Sequence, residues 1–330
     1  MPADMSLWDG RVDSTDNFEA FRWHQWMQRL NLEEPAGLIE EGTLGIAFLG
    51  FCCDEGVRRN QGRIGAAKGP NAIRKELANL PCAFSRDVKL FDAGNVLCVD
   101  GDLEKSQAVL ACVVSRLKLA GLFPILLGGG HEMALGHYRG LLGNEVERDW
   151  PDIGIINIDA HFDLRHFDDG GTSGTPFRQI ATELKSKGMP FKYMCIGVQD
   201  YSNTRELFKT ADALGVGYLL ANEIANENDW HVIEKIDGFL KSTKNVYLTL
   251  CADVFASAYA PGVSAIQPLG LNPEQVNKMI KYILRSGKVS GFDIAEILPR
   301  FDQDRTTASL AKVLIFSVVV TLCQMKGLGR

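Results

Sequence analysis

The stretch IGIINIDAHFD, residues 153–163, decides how the rest of the chain is interpreted. Its first six residues form a mostly apolar run of strand length, and such runs are typical of strands buried on both faces of a parallel sheet. Directly after the run come Asp159, His161 and Asp163, whose side chains share one face where the chain stays extended. The stretch therefore predicts a buried strand that delivers three polar side chains to one point.

Apolar runs of strand length recur on both sides of this stretch, each bounded by glycine or polar turn residues: 44–51, 88–91, 123–127, 193–198, 246–250 and 289–294. Between them lie segments with helical periodicity: 71–80, 103–119, 132–142, 204–214, 273–285 and 308–325. This alternation predicts a three-layer α/β/α fold with a mostly parallel central sheet. We expect a single catalytic domain over residues 41–330, with residues 1–40 forming an N-terminal arm packed on it.

Composition and charge exclude several classes of function. Of the 330 residues, 46% are hydrophobic and 23% are charged, as in an ordinary globular protein. Lys and Arg number 35 against 41 Asp and Glu, with no basic stripe, so we expect no nucleic-acid partner. The longest apolar run, 313–323, is too short to span a bilayer, and no secretory signal is visible, so we expect a cytoplasmic protein without a membrane partner. Whether it forms a homo-oligomer stays open.

Two further strands are also followed by residues of metal-ligand character. GGGHE follows the run 123–127, and its three glycines allow a tight turn before His131. Cys251 and Asp253 follow the run 246–250 on one face. Taken singly, each is more often a turn, a helix cap or a satisfied polar group. Because parallel strands end at one sheet edge, we expect the three sets to meet, and imidazoles with carboxylates suit paired divalent ions such as Mn²⁺.

The order of these motifs resembles the arginase, or ureohydrolase, family across residues 44–325. GGGHE is followed by DAHFD, then by a strand ending at Asp253 with APGV downstream, and then by DIAE at 293–296. The resemblance implies metal ligation by five residues, with Asp159 bridging two Mn²⁺ ions: His131, Asp159, His161, Asp163 and Asp253. It also implies that Glu296 faces the cationic nitrogen centre of the substrate, whereas a surface or capping carboxylate is the alternative.

Two segments resemble the formimidoylglutamases within that family: DAHFDLR, and SGTPFR at 173–178. Arg165 stands where arginases carry a neutral amide, and Phe177 and Arg178 stand where arginases place His-Gly. Arginine binds carboxylates bidentately, so we expect Arg165 and Arg178 to hold the carboxylates of a dianionic substrate. For Arg178 a solvent-exposed surface role explains the residue equally well.

The resemblance implies hydrolysis of N-formimidoyl-L-glutamate to L-glutamate and formamide, a step of histidine degradation. A metal-activated hydroxide would attack the formimidoyl carbon, Asp163 would relay a proton and Glu296 would stabilise the amidinium end. Two alternatives stay open. One is another ureohydrolase acting on a guanidino substrate such as arginine, agmatine or guanidinobutyrate. The other is a metal-poor homologue that binds a small molecule without turnover.

One position departs from the family pattern, because Cys251 stands where the family carries an aspartate that bridges both metals. A thiolate can bridge metals but a neutral thiol is a poor ligand, so the second ion is in doubt. Cys52 and Cys53 follow the strand at 44–51, at what should be the same sheet edge. We therefore consider a redox-sensitive disulfide that joins Cys251 to Cys52 or Cys53 and empties the site, with three independent core thiols as the alternative.

Overall fold

A parallel sheet forms the centre of the molecule. The computed structural model describes residues 1–32, 39–143, 152–226 and 229–329, and within these ranges the sheet has nine strands. They are β1 (Met27–Arg29), β2 (Leu44–Cys52), β3 (Val88–Leu97), β4 (Leu122–Leu127), β5 (Ile153–Ile158), β6 (Tyr193–Val198), β7 (Gly217–Leu220), β8 (Asn245–Cys251) and β9 (Val289–Ala295). Their order across the sheet is β1-β3-β2-β4-β9-β8-β5-β6-β7, and every pair is parallel. The predicted fold class is confirmed.

Helices cover both faces of the sheet. They are α1 (Trp23–Trp26), α2 (Glu55–Arg59), α3 (Gly69–Leu77), α4 (Leu103–Leu119), α5 (Met133–Leu142), α6 (Pro176–Ser186), α7 (Arg205–Ala213), α8 (Ala221–Asn226), α9 (Asp229–Ser242), α10 (Pro273–Arg285) and α11 (Thr306–Met325). Side chains alternate along a strand, so β2 sends Ile46 and Phe48 into a core shared with α3, α10 and α11. Ala47 and Leu49 enter a second core shared with α4 and α5.

The segment that was expected to be an arm supplies an edge strand. β1 lies within residues 1–40 and pairs in parallel with β3, from Met27 opposite Leu90 to Arg29 opposite Asp92. Trp8 and Trp23 are buried in the core that also contains Phe48. These contacts join the N-terminal residues to the sheet itself, a feature that their polar sequence did not indicate.

The last helix is longer than the apolar run 313–323 that marked it in the sequence. α11 has 20 residues, and a window within it has a mean hydropathy of 1.9, so by length and composition it could cross a membrane. However, 56% of that window is buried inside the protein, and a buried core helix can have the same length and composition. Ile315, Val318 and Val319 of α11 pack in the core beside the sheet.

Four neighbouring strands explain why distant motifs come together. In the sheet β4, β9, β8 and β5 lie side by side. Because the strands are parallel, the residues that follow them emerge at the same edge. His131 follows β4, Glu296 follows β9, Asp253 follows β8 and Asp159 follows β5. The strand order therefore converts four separate sequence motifs into one cluster.

Candidate metal centre

Asp159 lies between two histidines. Its Oδ2 atom is 3.0 Å from Nδ1 of His131, and its Oδ1 atom is 3.5 Å from Nδ1 of His161. Asp163 Oδ2 is also 3.0 Å from the His131 Nδ1 atom, and Asp253 Oδ2 is 3.2 Å from the His161 Nδ1 atom. Two imidazoles and three carboxylates thus face each other within a few ångströms, as the strand ends predict.

The ligand atoms form two groups that share one residue. His131, Asp159 and Cys251 make up the first group, and Asp159, His161 and Asp253 make up the second. In each group the potential ligand atoms lie within 4.8 Å of one another. A carboxylate has two oxygens and can contact two ions at once, so the arrangement suits a pair of cations on either side of Asp159.

The backbone adopts unusual conformations at two of these positions. Asp163 has a φ of 50° and Glu296 has a φ of 64°, both in the left-handed region that non-glycine residues seldom adopt. Such a residue costs on the order of 1–2 kcal/mol, so it persists where surrounding contacts hold it, commonly at functional sites. Gly129 has a different constraint, since a Cβ there would lie 1.8 Å from the Cys53 carbonyl oxygen. Its lack of a side chain lets the loop before His131 pass close to the end of β2.

A buried hydrogen-bond relay orients His131. Its Nε2 atom lies 2.9 Å from Oγ1 of Thr249, and that hydroxyl donates to Asp293 at 2.5 Å. Asp293 also accepts from the Tyr247 hydroxyl at 2.5 Å and contacts Nδ1 of His137 at 2.5 Å. Because the threonine hydroxyl donates to Asp293, its oxygen accepts from the Nε2–H of His131. In the neutral ring, which is the form that binds a metal, the Nδ1 lone pair of His131 then faces the ligand cluster.

This relay was missed by the sequence interpretation. Thr249 and Asp293 are register partners on β8 and β9, so their contact depends on the strand order. Polar residues inside mostly apolar strands were the available signal. A buried polar side chain needs a partner, but the sequence does not name that partner.

Burial and charge shift the ionisation of the cluster strongly. Burial raises the pKa of Asp163 and of Asp253, and the nearby Asp159 charge raises both further. Burial would also raise the pKa of Asp159, but the adjacent His131 and His161 outweigh it and hold that pKa below its usual range. For both histidines burial opposes the charged form, yet the surrounding carboxylates raise the pKa well above its ordinary value.

Several buried atoms of the cluster have no hydrogen-bond partner among the described residues. They include Nδ1 of His131, Oδ1 of Asp253 and Oε2 of Glu296. The Nδ1 atom lies close to two carboxylate oxygens without hydrogen-bond geometry to either, as expected of atoms arranged around an ion. Unpartnered buried polar atoms are costly, and a divalent cation would accept lone pairs from the His131 and Asp253 atoms. The residues present therefore fit a metal pair.

A cavity of about 200 Å³ opens above the cluster. Seven of the predicted site residues line it: His131, His161, Asp163, Arg165, Cys251, Asp253 and Glu296. Asp159 is wholly buried. Further lining residues, which the sequence interpretation missed, are Asn60, Gly62, Ser173, Ser264 and Ala265. These come from loops after β2, β5 and β8, and apart from Ser173, which begins the SGTPFR segment, the sequence does not single them out.

The structure does not bring Arg178 to this cavity. Arg178 donates to the Leu164 carbonyl at 3.3 Å and lines a separate depression that includes Lys185 and Lys209. It lies in the first turn of α6, where consecutive side chains point in different directions. Phe177, the preceding residue, is fully buried and packs its ring edge-on against His131, with 5.5 Å between ring centroids.

All eight cysteines are free thiols in this structure. Cys251 lines the cavity, and burial together with the Asp159 and Asp253 charges raises the pKa of its thiol well above the usual value. The Cys53 thiol instead donates to Oε1 of Glu132 at 3.6 Å, and neither Cys52 nor Cys53 lines the cavity. The disulfide from Cys251 to either of them stays a prediction.

Comparisons with known proteins agree with the geometry. A sequence profile of the Arginase family matches residues 44–321. The chain is 54% identical over 330 residues to a formimidoylglutamase of Clostridium tetani, covering 99% of this chain and 98% of that relative. It is 43% identical over 313 residues to a formimidoylglutamase of Geobacillus thermodenitrificans, covering 94% of each. The crystal structure of a Trypanosoma cruzi formiminoglutamase with Mn²⁺ matches with a TM-score of 0.75 at 27% identity, covering 88% of this chain and 98% of that one.

Proposed function

Because this chain belongs to the arginase family, we propose that it hydrolyses N-formimidoyl-L-glutamate to L-glutamate and formamide, as a cytoplasmic step of histidine degradation. The chain aligns with formimidoylglutamases over nearly its whole length, at 54% and 43% identity, and this similarity supports the proposed reaction. One observation supports N-formimidoyl-L-glutamate as the substrate. Arg165 is the only Lys or Arg side chain among the described residues that line the cavity, and it lies beside the cluster of metal-ligand residues. A substrate that carries carboxylates next to an amidine matches this arrangement.

Two Mn²⁺ ions would be held by the two groups that share Asp159. His131 and Cys251 complete one group, and His161 and Asp253 complete the other. The bound ions supply Lewis-acid activation of a water molecule near neutral pH. A thiolate at Cys251 would favour softer ions than an aspartate does, so the affinity of its group for Mn²⁺ should be the weaker of the two.

The side chains of the chain provide proton transfer and substrate orientation. Burial and the Asp159 charge raise the pKa of Asp163, which suits a group that accepts a proton from water and passes it to the departing amine. Oε1 of Glu296 accepts from the His131 backbone N–H at 3.0 Å, while Oε2 has no partner among described residues. Glu296 lines the cavity, so Oε2 would bind the cationic amidinium end of the substrate.

The proposal is tested by assaying reduced, Mn²⁺-loaded protein against N-formimidoyl-L-glutamate, L-arginine and agmatine in parallel. We expect formamide from the first substrate and no urea from the other two. Urea release without formamide release would instead identify a ureohydrolase for guanidino compounds. Absence of all products together with less than one bound Mn²⁺ per chain would indicate a non-catalytic binding protein.

A further inference from the structure

The two ends of the cavity differ in their chemistry. At the floor lie acidic and imidazole side chains, among them Asp163, Asp253 and His161. The other lining residues, which we call the rim, contain no acidic side chain: Asn60, Gly62, Arg165, Ser173, Ser264 and Ala265. A ligand that occupies both ends therefore needs a cationic or metal-binding group at one end and hydrogen-bond acceptors at the other.

Two hydrogen-bond donors of the rim lie side by side without acceptors. Neither the Arg165 guanidinium nor the Asn60 amide forms a hydrogen bond or ion pair within the described part of the chain. Gly174 separates them, and a Cβ added there would lie 3.1 Å from Nε of Arg165 and 3.3 Å from Nδ2 of Asn60. Because Gly174 has no side chain, both groups fit around the same point. The backbone N–H of Arg165 donates to the Gly174 carbonyl at 2.9 Å, which fixes this arrangement.

Ser264 presents a third donor from the loop after β8. Its Oγ accepts the backbone N–H of Arg63 at 2.8 Å, so the hydroxyl proton remains to be donated elsewhere. Nε of Arg63 also donates to the Ser264 carbonyl at 3.1 Å, and its guanidinium stacks on the Phe301 ring at 4.4 Å. These contacts hold the serine in place on the rim.

We propose that Asn60 and Ser264 are specificity-determining residues that bind, together with Arg165, one carboxylate of the substrate, and that Gly174 positions Arg165 and Asn60 for this. The inference rests on the proposed function and extends it from one arginine to a three-donor carboxylate site. A carboxylate offers two oxygens and about four acceptor directions, which match a guanidinium, an amide and a hydroxyl from three loops. A cationic group at this end of a substrate would offer the three donors no acceptor, and a neutral amide would offer one oxygen instead of two.

The test replaces one hydrogen-bond donor of the rim with an acceptor of nearly the same size. In Asn60→Asp a carboxylate replaces the amide and faces the carboxylate of the substrate, and Gln61→Glu is the matched control. Gln61 is exposed and does not line the cavity, so Gln61→Glu adds the same negative charge one residue away from Asn60 but outside the cavity. We expect Asn60→Asp to raise KM for N-formimidoyl-L-glutamate about tenfold or more, with a much smaller change in kcat. Arg165→Ala should act in the same direction, and Ser264→Ala more weakly.

Two substrate analogues show which of the two carboxylates the rim binds. N-formimidoyl-L-glutamine lacks the side-chain carboxylate, and N-formimidoyl-4-aminobutyrate lacks the α-carboxylate. For the analogue that lacks the bound carboxylate, KM should be almost the same with Asn60→Asp as with the unaltered chain. Calorimetric titration of Mn²⁺-loaded protein with L-glutamate tests the rim independently of turnover, so it separates failure of this inference from failure of the proposed reaction. Weaker glutamate binding in Asn60→Asp than in Gln61→Glu supports the inference. Equal KM values and equal glutamate binding in the two variants, or no glutamate binding by the unaltered chain, would overturn it.

Discussion

Two buried polar clusters in this protein differ in how completely the protein pairs their charges and hydrogen-bonding groups. In the first, which we call the Arg74 cluster, Arg74 donates twice to Asp92, at 2.8 and 2.9 Å, and once to Asn95 at 2.8 Å. Asp92 also accepts from Nε1 of Trp8 at 2.6 Å and from the Gly94 backbone N–H at 2.8 Å. In this cluster charge is balanced and the hydrogen-bonding groups are paired.

The second cluster comprises the metal-ligand residues with Glu296, and its charges are not balanced by the protein. No Lys or Arg in the described residues forms an ion pair with Asp159, Asp163, Asp253 or Glu296. In the part of the chain that the structure describes, the histidines are the only basic partners in contact with the three aspartates. The comparison suggests that a buried polar cluster stabilises the fold when its groups are paired by the protein, whereas an unpaired cluster of this composition fits cations from solution.

Removal of metal should abolish the reaction and leave the Arg74 cluster intact. We expect chelation followed by dialysis to lower formamide release by at least about 1000-fold, because the metal-activated water is lost. Readdition of Mn²⁺ should restore it. Measured turnover that survives with almost no bound metal would remove the distinction between the two clusters.

Breaking the Arg74 cluster should affect stability instead. Arg74→Leu leaves the Asp92 carboxylate buried and unpaired, so we expect the free energy of unfolding in urea to fall by about 3–5 kcal/mol. Arg11→Leu is the control, since Arg11 pairs with Asp13 at the surface with its side chain 77% exposed, and its loss should change little. Comparable unfolding curves for the two variants would contradict the structural role of the Arg74 cluster.

Loss of the relay behind His131 should weaken metal binding without unfolding the chain. Thr249→Val keeps the shape of the side chain but removes the hydroxyl that accepts from His131 and donates to Asp293. We expect Mn²⁺ affinity, measured by calorimetry, to fall by about 10- to 100-fold. Thr243→Val is the control, because Thr243 is buried outside the relay. An unchanged affinity in Thr249→Val would separate the relay from metal binding.

The stability of the metal-free chain should fall as pH rises. Burial raises the pKa of Glu132 to about 7 and that of Glu296 well above its usual value, and carboxylates raise the pKa of His131 and His161. Groups with a raised pKa bind more protons in the folded state, so their stabilising effect is complete below the unfolded pKa and is lost above it, from about pH 4.5 for the two glutamates and from about pH 6.5 for the two histidines. We expect a loss on the order of 1–3 kcal/mol in urea unfolding. With excess Mn²⁺ the stability should not fall, because the metal replaces the protons.

The thiol in the metal-ligand cluster suggests one more difference between the clusters. If Cys251 forms a disulfide with Cys52 or Cys53, oxidised protein should regain activity and Mn²⁺ binding when a reductant is added. Cys52→Ser and Cys53→Ser, made separately, identify the partner by making activity independent of oxidation. Activity that is indifferent to reductant in the unaltered chain, with Mn²⁺ in excess, would favour independent thiols.

The sequence predicts the fold well where strands are buried on both faces. β5 and β6 begin and end at the predicted residues, because continuous apolar runs mark central strands. β1 and β7 were missed, since edge strands are short and expose part of their side chains. α6 and α9 were missed as well, although α6 begins with a proline in the position that favours helix starts.

The candidate site was predictable where side chains closely follow strands, and Arg165 was predictable only through the resemblance of DAHFDLR to the formimidoylglutamases. His131, Asp159 and Asp253 meet because parallel strands end at one edge, which the sequence pattern encodes. Thr249 and Asn60 were not predictable, because their roles depend on which strands and loops become neighbours in space. Arg178 lies away from the cavity for a similar reason: the direction of a helical side chain depends on how its helix packs.

We expect the metal-ligand cluster to hold a pair of cations through the shared Asp159 carboxylate. This is tested by equilibrium dialysis of reduced protein against Mn²⁺, followed by elemental analysis. We expect two Mn²⁺ per unaltered chain and strong loss of both in Asp159→Ala, because both ligand groups include Asp159. Equal Mn²⁺ content in Asp159→Ala and the unaltered chain would contradict the claim.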